Sequence, residues 1–144
     1  MSPKRFPAAT CVLYADAEAV TDKITISDRT AAVLMSHNYT YDLAVLTRLV
    51  KTSIPYIGIL GPRKRFEKMQ QAWLDAGQQP DPLAVSRIHS PIGLDLGAET
   101  PDEIALAILS EIKAFFSQRP GGFLSNRPGP IHDRSASHEH AIAG

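Results

Sequence analysis

The chain has 144 residues, 44% of them hydrophobic and 21% charged, enough for one globular domain with its own core and too little for two. Fifteen Lys and Arg balance fifteen Asp and Glu, so no overall field draws the chain to nucleic acid or to an acidic membrane, and any basic site must be local. The single cysteine, Cys11, excludes an internal disulfide, and no apolar run approaches a membrane span or a secretory signal, so the chain reads as cytoplasmic.

In chain order, residues 10–14 predict a first short strand in which Cys11 packs as a small hydrophobe, and residues 15–20 a helical turn. The continuous apolar run Ala31-Ala32-Val33-Leu34-Met35, closed by Ser36-His37-Asn38, predicts a buried strand with His37 at its carboxyl end. Leu43, Leu46 and Val50 recur at helical spacing, which predicts an amphipathic helix over 41–52. Tyr56, Ile57, Ile59 and Leu60 form another short run, apolar on both faces as a buried parallel strand requires. Gly61-Pro62 ends it, and Pro62 fits the first turn of a helix that carries Phe66, Met69, Trp73 and Leu74 on one face and stops at Gly77. Strand, helix, strand is the parallel unit of an α/β sheet, and its ligands bind at the carboxyl ends of the strands.

Asp81-Pro82 has the form of an N-cap followed by proline, which predicts a short helix over 82–88. The next stretch, residues 89–99, mixes two glycines and a proline with apolar residues, an awkward composition for a solvated loop, and predicts a loop packed on the sheet. Thr100-Pro101-Asp102-Glu103 is a capping box, and Ile104, Ala105, Ile108, Ile112 and Phe115 form the stripe of the helix it starts. From Gln118 onward Pro, Gly, Ser and His dominate, which predicts a folded unit of residues 1–117 and a disordered tail over 118–144. His132, His138 and His140 with Glu139 lie in that tail and lack the spacing of a zinc site.

Arg63, Lys64 and Arg65 occupy the first turn after Gly61-Pro62, where free N–H groups welcome an anion. Two readings compete for them: a phosphate site, or a solvated helix face whose charge opposes the helix dipole. Gly58 and Gly61 either admit a ligand to the backbone or serve the turn and the packing of strand on helix. His37 either binds a ligand or caps the strand end, and Asp95 and Glu99 are polar ligands or loop acceptors. No Walker loop, nucleophile triad or metalloprotease motif is present.

The segments Tyr56-Ile57-Gly58-Ile59-Leu60-Gly61-Pro62-Arg63-Lys64-Arg65 and Ser90-Pro91-Ile92-Gly93-Leu94-Asp95-Leu96-Gly97-Ala98-Glu99-Thr100-Pro101-Asp102-Glu103 resemble the carboxyl-terminal domain of the XdhC/CoxI family, the xanthine dehydrogenase accessory factors. Met35-Ser36-His37-Asn38 followed by Asp42 matches that family's strand-end histidine and spaced aspartate. The resemblance implies a Rossmann-like, three-layer α/β domain, here incomplete. It also implies a non-enzymatic protein that binds molybdenum cofactor, shields it, and aids its sulfuration and delivery. The implied partners are a molybdenum hydroxylase, a cofactor sulfurase and a second copy of the chain. On this reading Arg63 and Arg65 hold the cofactor phosphate, with Lys64 beside them. His37, Asp42, Gly58, Gly61, Pro91, Gly93, Asp95 and Gly97 shape the pocket. Two departures stand out: Pro62 replaces a frequent serine, and nothing in residues 1–10 serves as the family's opening strand and glycine-rich turn. The second leaves NAD(P) without its usual cradle and the strands at 10–14 and 31–35 either to pair directly or to receive strands from a partner. An enzymatic, nucleotide-dependent domain is the alternative.

Overall fold

Three short parallel strands form the sheet, in the order β1 (Ala31–Leu34), β2 (Tyr56–Ile59), β3 (Ile88–His89), in a computed structural model that describes residues 5–131. Ala31 pairs with Tyr56 and Leu34 with Ile59, while Ile57 and Gly58 pair with Ile88 and His89. All four residues of β2 are buried because the central strand is covered on both faces. Ile57 and Ile59 face α1 (Tyr39–Leu49) and α2 (Arg63–Asp75), in a cluster with Leu46, Leu49, Met69 and Trp73. Tyr56 points the other way, toward Ile92 and toward Ile108 of α4 (Pro101–Phe116). The result is an α/β domain of three layers, helices on each side of a parallel sheet.

Local chemistry sets the boundaries. The Asn38 side chain caps α1 by accepting from the Tyr41 N–H at 3.0 Å. At the end of α2 the Gln78 N–H reaches the Trp73 carbonyl and the Gly77 N–H the Leu74 carbonyl, with Gly77 at φ +71°, the left-handed stop expected of that glycine. The Trp73 indole N–H donates to Thr47 Oγ1 at 2.9 Å and ties α2 to α1. Thr100 and Glu103 close both arms of the capping box at the start of α4. The Glu99 and Thr100 backbone N–H groups that bind the Glu103 carboxylate hold its pKa below the ordinary value.

Several expectations are revised. Residues 10–14 form no strand, and Cys11 is exposed: among the described residues no backbone hydrogen bond ties this segment to β1 or to another strand, and a strand exists only when paired. The turn that follows is a 3-10 helix, Ala17–Lys23, held to the core by Ala17. Leu74 is exposed because it lies about 100° past Trp73 on the helix surface. Pro62 is the N-cap of α2, one position earlier than expected. The helix after Asp81 is a single turn, α3 (Pro82–Val85), and the residues beyond it supply β3. Ala105 is exposed and Ala107 takes its place in the stripe of α4. Beyond α4 a 3-10 turn, Leu124–Asn126, follows, and His132, His138, Glu139 and His140 lie outside the described residues. Among the described residues no helix is long and apolar enough to cross a membrane.

Candidate functional site

Parallel strands place all their carboxyl ends on one edge, so the turns after β1, β2 and β3 are neighbours by topology. After β2, Gly61 adopts φ +120°, a conformation that L side chains rarely reach, and the chain turns directly into α2. After β3, Ile92 continues the ladder by donating its N–H to the Ile59 carbonyl at 3.1 Å. From there residues 93–98 fold back over the edge, with Gly93 at φ +108° and Gly97 at φ +66°. Between turn and loop lies a cleft of about 520 Å³ lined by Leu60, Gly61, Arg63, Pro91, Gly93 and Asp95, with Gly97 at its far side.

Six of the eleven candidates therefore meet in one place: Gly61, Arg63, Pro91, Gly93, Asp95 and Gly97. The other five stand apart from that cleft. Arg65 turns away from Arg63 and pairs with Asp42, its Nη2 lying 3.0 Å from Oδ2. Helix geometry dictates this, since positions two apart are about 200° apart around the axis and cannot share one small anion. Asp42 is only 2% exposed, and its second oxygen accepts the Ser36 hydroxyl at 2.7 Å, so each of its oxygens is engaged by a structural partner. Lys64 is exposed on the outer side of the same turn. Its neighbour Lys68 instead lies over the Tyr39 ring, 4.5 Å from the centroid, alongside Arg65 at 5.7 Å.

His37 is exposed at the end of β1 with φ +63° and does not line the cleft. Gly58 has a packing reason instead of a ligand one: a Cβ there would overlap the Ile92 side chain. That missing Cβ still serves the site, because Ile92 is the peg that seats the loop on the sheet. Gly93 packs closely as well, since a Cβ would come within 3.2 Å of Ala107 in α4. A larger cavity, about 780 Å³, opens at the opposite edge beside Trp73 and Arg87. Both terminal nitrogens of Arg87 are engaged by the Ile54 and Val50 carbonyls, which makes that corner a fastening of α1 to the sheet.

Sequence reasoning missed the group behind the loop. The Tyr56 hydroxyl donates to Glu111 Oε1 at 2.6 Å, and the Tyr56 ring stacks on His89 with centroids 4.3 Å apart. Burial, then the hydrogen bond and charge of Glu111, push the Tyr56 hydroxyl pKa above the ordinary tyrosine range, so it remains a donor. The available signal was a carboxylate inside the apolar stripe of α4, between Ile108 and Ile112, facing a strand tyrosine that needs an acceptor. Among the described residues no group of three or more His, Cys, Asp or Glu is arranged to hold a metal ion.

The donor set of the cleft suits a phosphorylated guest with a hydrogen-bonding ring. It offers one guanidinium, one carboxylate, glycine backbone, and the N-terminus of α2, where Pro62 supplies no capping side chain and no acidic residue occupies the first turn.

Comparison with known proteins agrees with this architecture. The uncharacterized protein YqeB of Escherichia coli (strain K12) is 28% identical over 131 residues, which covers 90% of this chain and 24% of that protein. A probable xanthine dehydrogenase subunit of Bacillus subtilis (strain 168) is 32% identical over 107 residues, covering 74% of this chain and 30% of that one. A crystal structure of a xanthine dehydrogenase from Bacillus halodurans shares the fold, with a TM-score of 0.67 at 24% identity over 88% of this chain and 34% of that one. The chain thus spans 24% to 34% of the length of these proteins. A family model described as the XdhC Rossmann domain matches residues 1–112, most of the sequence, and the chain belongs to that family.

Proposed function

We propose that this chain is a non-enzymatic accessory domain that holds molybdenum cofactor, or a related phosphorylated pterin, during maturation of a xanthine dehydrogenase-type molybdenum hydroxylase in the cytoplasm. The observation that carries the reading is the meeting of Arg63 with the 91–97 loop across the Gly61 turn in a single cleft. Membership of the XdhC family and similarity to a probable xanthine dehydrogenase subunit support it. Arg63 would bind the phosphate through paired N–H donors, assisted by the N-terminus of α2. The Asp95 carboxylate suits the amino and ring N–H donors of a pterin, and Gly61 and Gly93 let the backbone approach it. The chemistry is sequestration and handover, with no bond made or broken by these residues. The hydroxylase is the recipient, a cofactor sulfurase acts on the guest before delivery, and a second copy of the chain is a further partner.

The test is a binding titration with a pterin phosphate and with isolated molybdenum cofactor, using NADP as the competing class of ligand. Arg63→Ala should weaken binding about tenfold or more, the loss of one charge-assisted pair, while thermal unfolding stays within about 2 °C of the parent. Arg65→Ala should leave affinity near the parent value once the folded fraction is matched. Equal affinity in Arg63→Ala, or protection by NADP with none by the pterin, would overturn the reading in favour of a nucleotide-binding domain.

A further inference from the structure

Behind the cleft, one oxygen organises three elements. Glu111 Oε1 in α4 accepts the Tyr56 hydroxyl from β2 at 2.6 Å and the Gly93 N–H from the loop at 3.3 Å, and lies 3.4 Å from His89 Nδ1 in β3. Phe115, one turn further along α4, packs edge-on against both rings, with centroids 5.4 Å from Tyr56 and 5.5 Å from His89. The Leu94 N–H meets the Ala107 carbonyl at 3.1 Å, so two consecutive loop amides are tethered to one face of α4. His89 Nε2 and Ser90 Oγ are buried without hydrogen-bond partners among the described residues, so Glu111 is the one polar side-chain contact these two residues have there.

We propose that Glu111 is the positioning residue of the cleft: it gathers Tyr56 and the Gly93 amide at one oxygen and so fixes the wall formed by residues 91–97. Glu111 does not line the cleft and has no contact with a guest there. It acts through Gly93, whose N–H it accepts and whose φ of +108° lies in the region open to glycine. The Tyr56 residue is fully buried and its hydroxyl has no other acceptor among the described residues, so the carboxylate is held against β2 and the loop is held against the carboxylate. This inference rests on the cofactor-site reading only for the consequence on binding; its structural half stands on the geometry.

The experiment is hydrogen exchange of the full chain, read at Gly93 and Leu94 against the β2 amides of Ile57 and Ile59, together with the pterin phosphate titration. Four proteins are compared: the parent, Glu111→Gln, Glu111→Ala, and the double variant Tyr56→Phe with Glu111→Leu. Glu111→Ala should speed loop exchange about tenfold while β2 stays slow, and Glu111→Gln, which keeps an acceptor oxygen, should stay within about threefold of the parent. The double variant replaces both members of the buried Tyr56–Glu111 hydrogen bond by apolar groups, so it folds even if the alanine variant does not, and its loop, with the Gly93 N–H released, should also exchange about tenfold faster. Slow loop exchange in the double variant, or a glutamine variant as disordered as the alanine one, overturns the proposal. Binding should fall about tenfold in parallel with loop exchange. Binding equal to the parent in a loosened double variant would likewise overturn it. A parent that binds no pterin phosphate sinks the cofactor reading alone, because the exchange data still decide whether Glu111 orders the loop.

Discussion

Tyr56 shows how one side chain serves both the core and the site. Its ring fills the space between β2 and α4, and its hydroxyl would be an orphaned donor there without Glu111. Because its folded pKa lies above the unfolded value, the neutral form is the one the fold retains. Above the ordinary tyrosine pKa of about 10, the unfolded chain loses this proton while the folded chain keeps it, so stability is full below that pH and lost above it. The loss should be about 1.4 kcal/mol per pH unit between about pH 10 and the shifted value. Tyr56→Phe should flatten that part of the alkaline stability profile, measured as denaturant midpoints of parent and variant across the range. An identical alkaline slope in the two proteins would contradict the assignment.

Among the elements, α2 decides how the basic turn is used. Residues 63, 64 and 65 are adjacent in sequence and diverge on a helix, which leaves Arg63 exposed but lining the cleft, Lys64 exposed away from it, and Arg65 paired with the buried Asp42 of α1. The Asp42–Arg65 pair therefore joins α1 to α2 below the site, and its value is structural. Arg65→Ala strands a buried carboxylate that retains only the Ser36 hydroxyl. It should cost about 2 kcal/mol, less than a fully buried pair because the arginine is partly exposed. Urea denaturation checks this, and a cost near zero would show that Asp42 is adequately solvated without its partner.

At the scale of the whole molecule, the most consequential feature is the side of β1 that no other strand occupies among the described residues. The Leu34 carbonyl accepts from the Leu60 N–H, so Ala32 and Leu34 bond toward β2 while the N–H and C=O of Ala31 and Val33 point to the free edge. No charge or proline blocks this strand, and such an edge is a template for another strand. On the proposal that a second copy is a partner, sedimentation should show association that rises with protein concentration. Ala31→Pro removes one outward N–H without breaking a bond to β2 and should shift the population to monomer. A parent that stays monomeric throughout the concentration series would remove self-association from the reading.

The elements that were legible in the sequence are those whose signals are local. The apolar runs of β1 and β2, the stripe of α1, the glycine stop of α2 and the capping box of α4 each follow from neighbours within a few residues; the strands end one residue early, and α1 spans Tyr39–Leu49 where 41–52 was expected. The family resemblance rested on the same kind of contiguous signal and placed the turn after β2 and the loop after β3 together. What the sequence could not settle depends on partners distant along the chain. Residues 10–14 have the composition of a strand, yet they do not pair with the edge that β1 leaves open, and no local signal says whether such a pairing forms. Gly58 read either as a place for a ligand or as a packing position, and packing accounts for it through Ile92, thirty-four residues away in number and in contact in space. Arg65 read as a phosphate ligand until Asp42 was found beneath it, and Glu111 carried no meaning until folding set it against Tyr56 and Gly93. Sequence alone determined the parallel α/β class and the edge at which the turns after the strands gather, because periodicity and turn chemistry are short-range. Tertiary structure alone decided which charges are free to meet a guest, because a buried ionisable group is satisfied by whichever partner packing brings within hydrogen-bond reach.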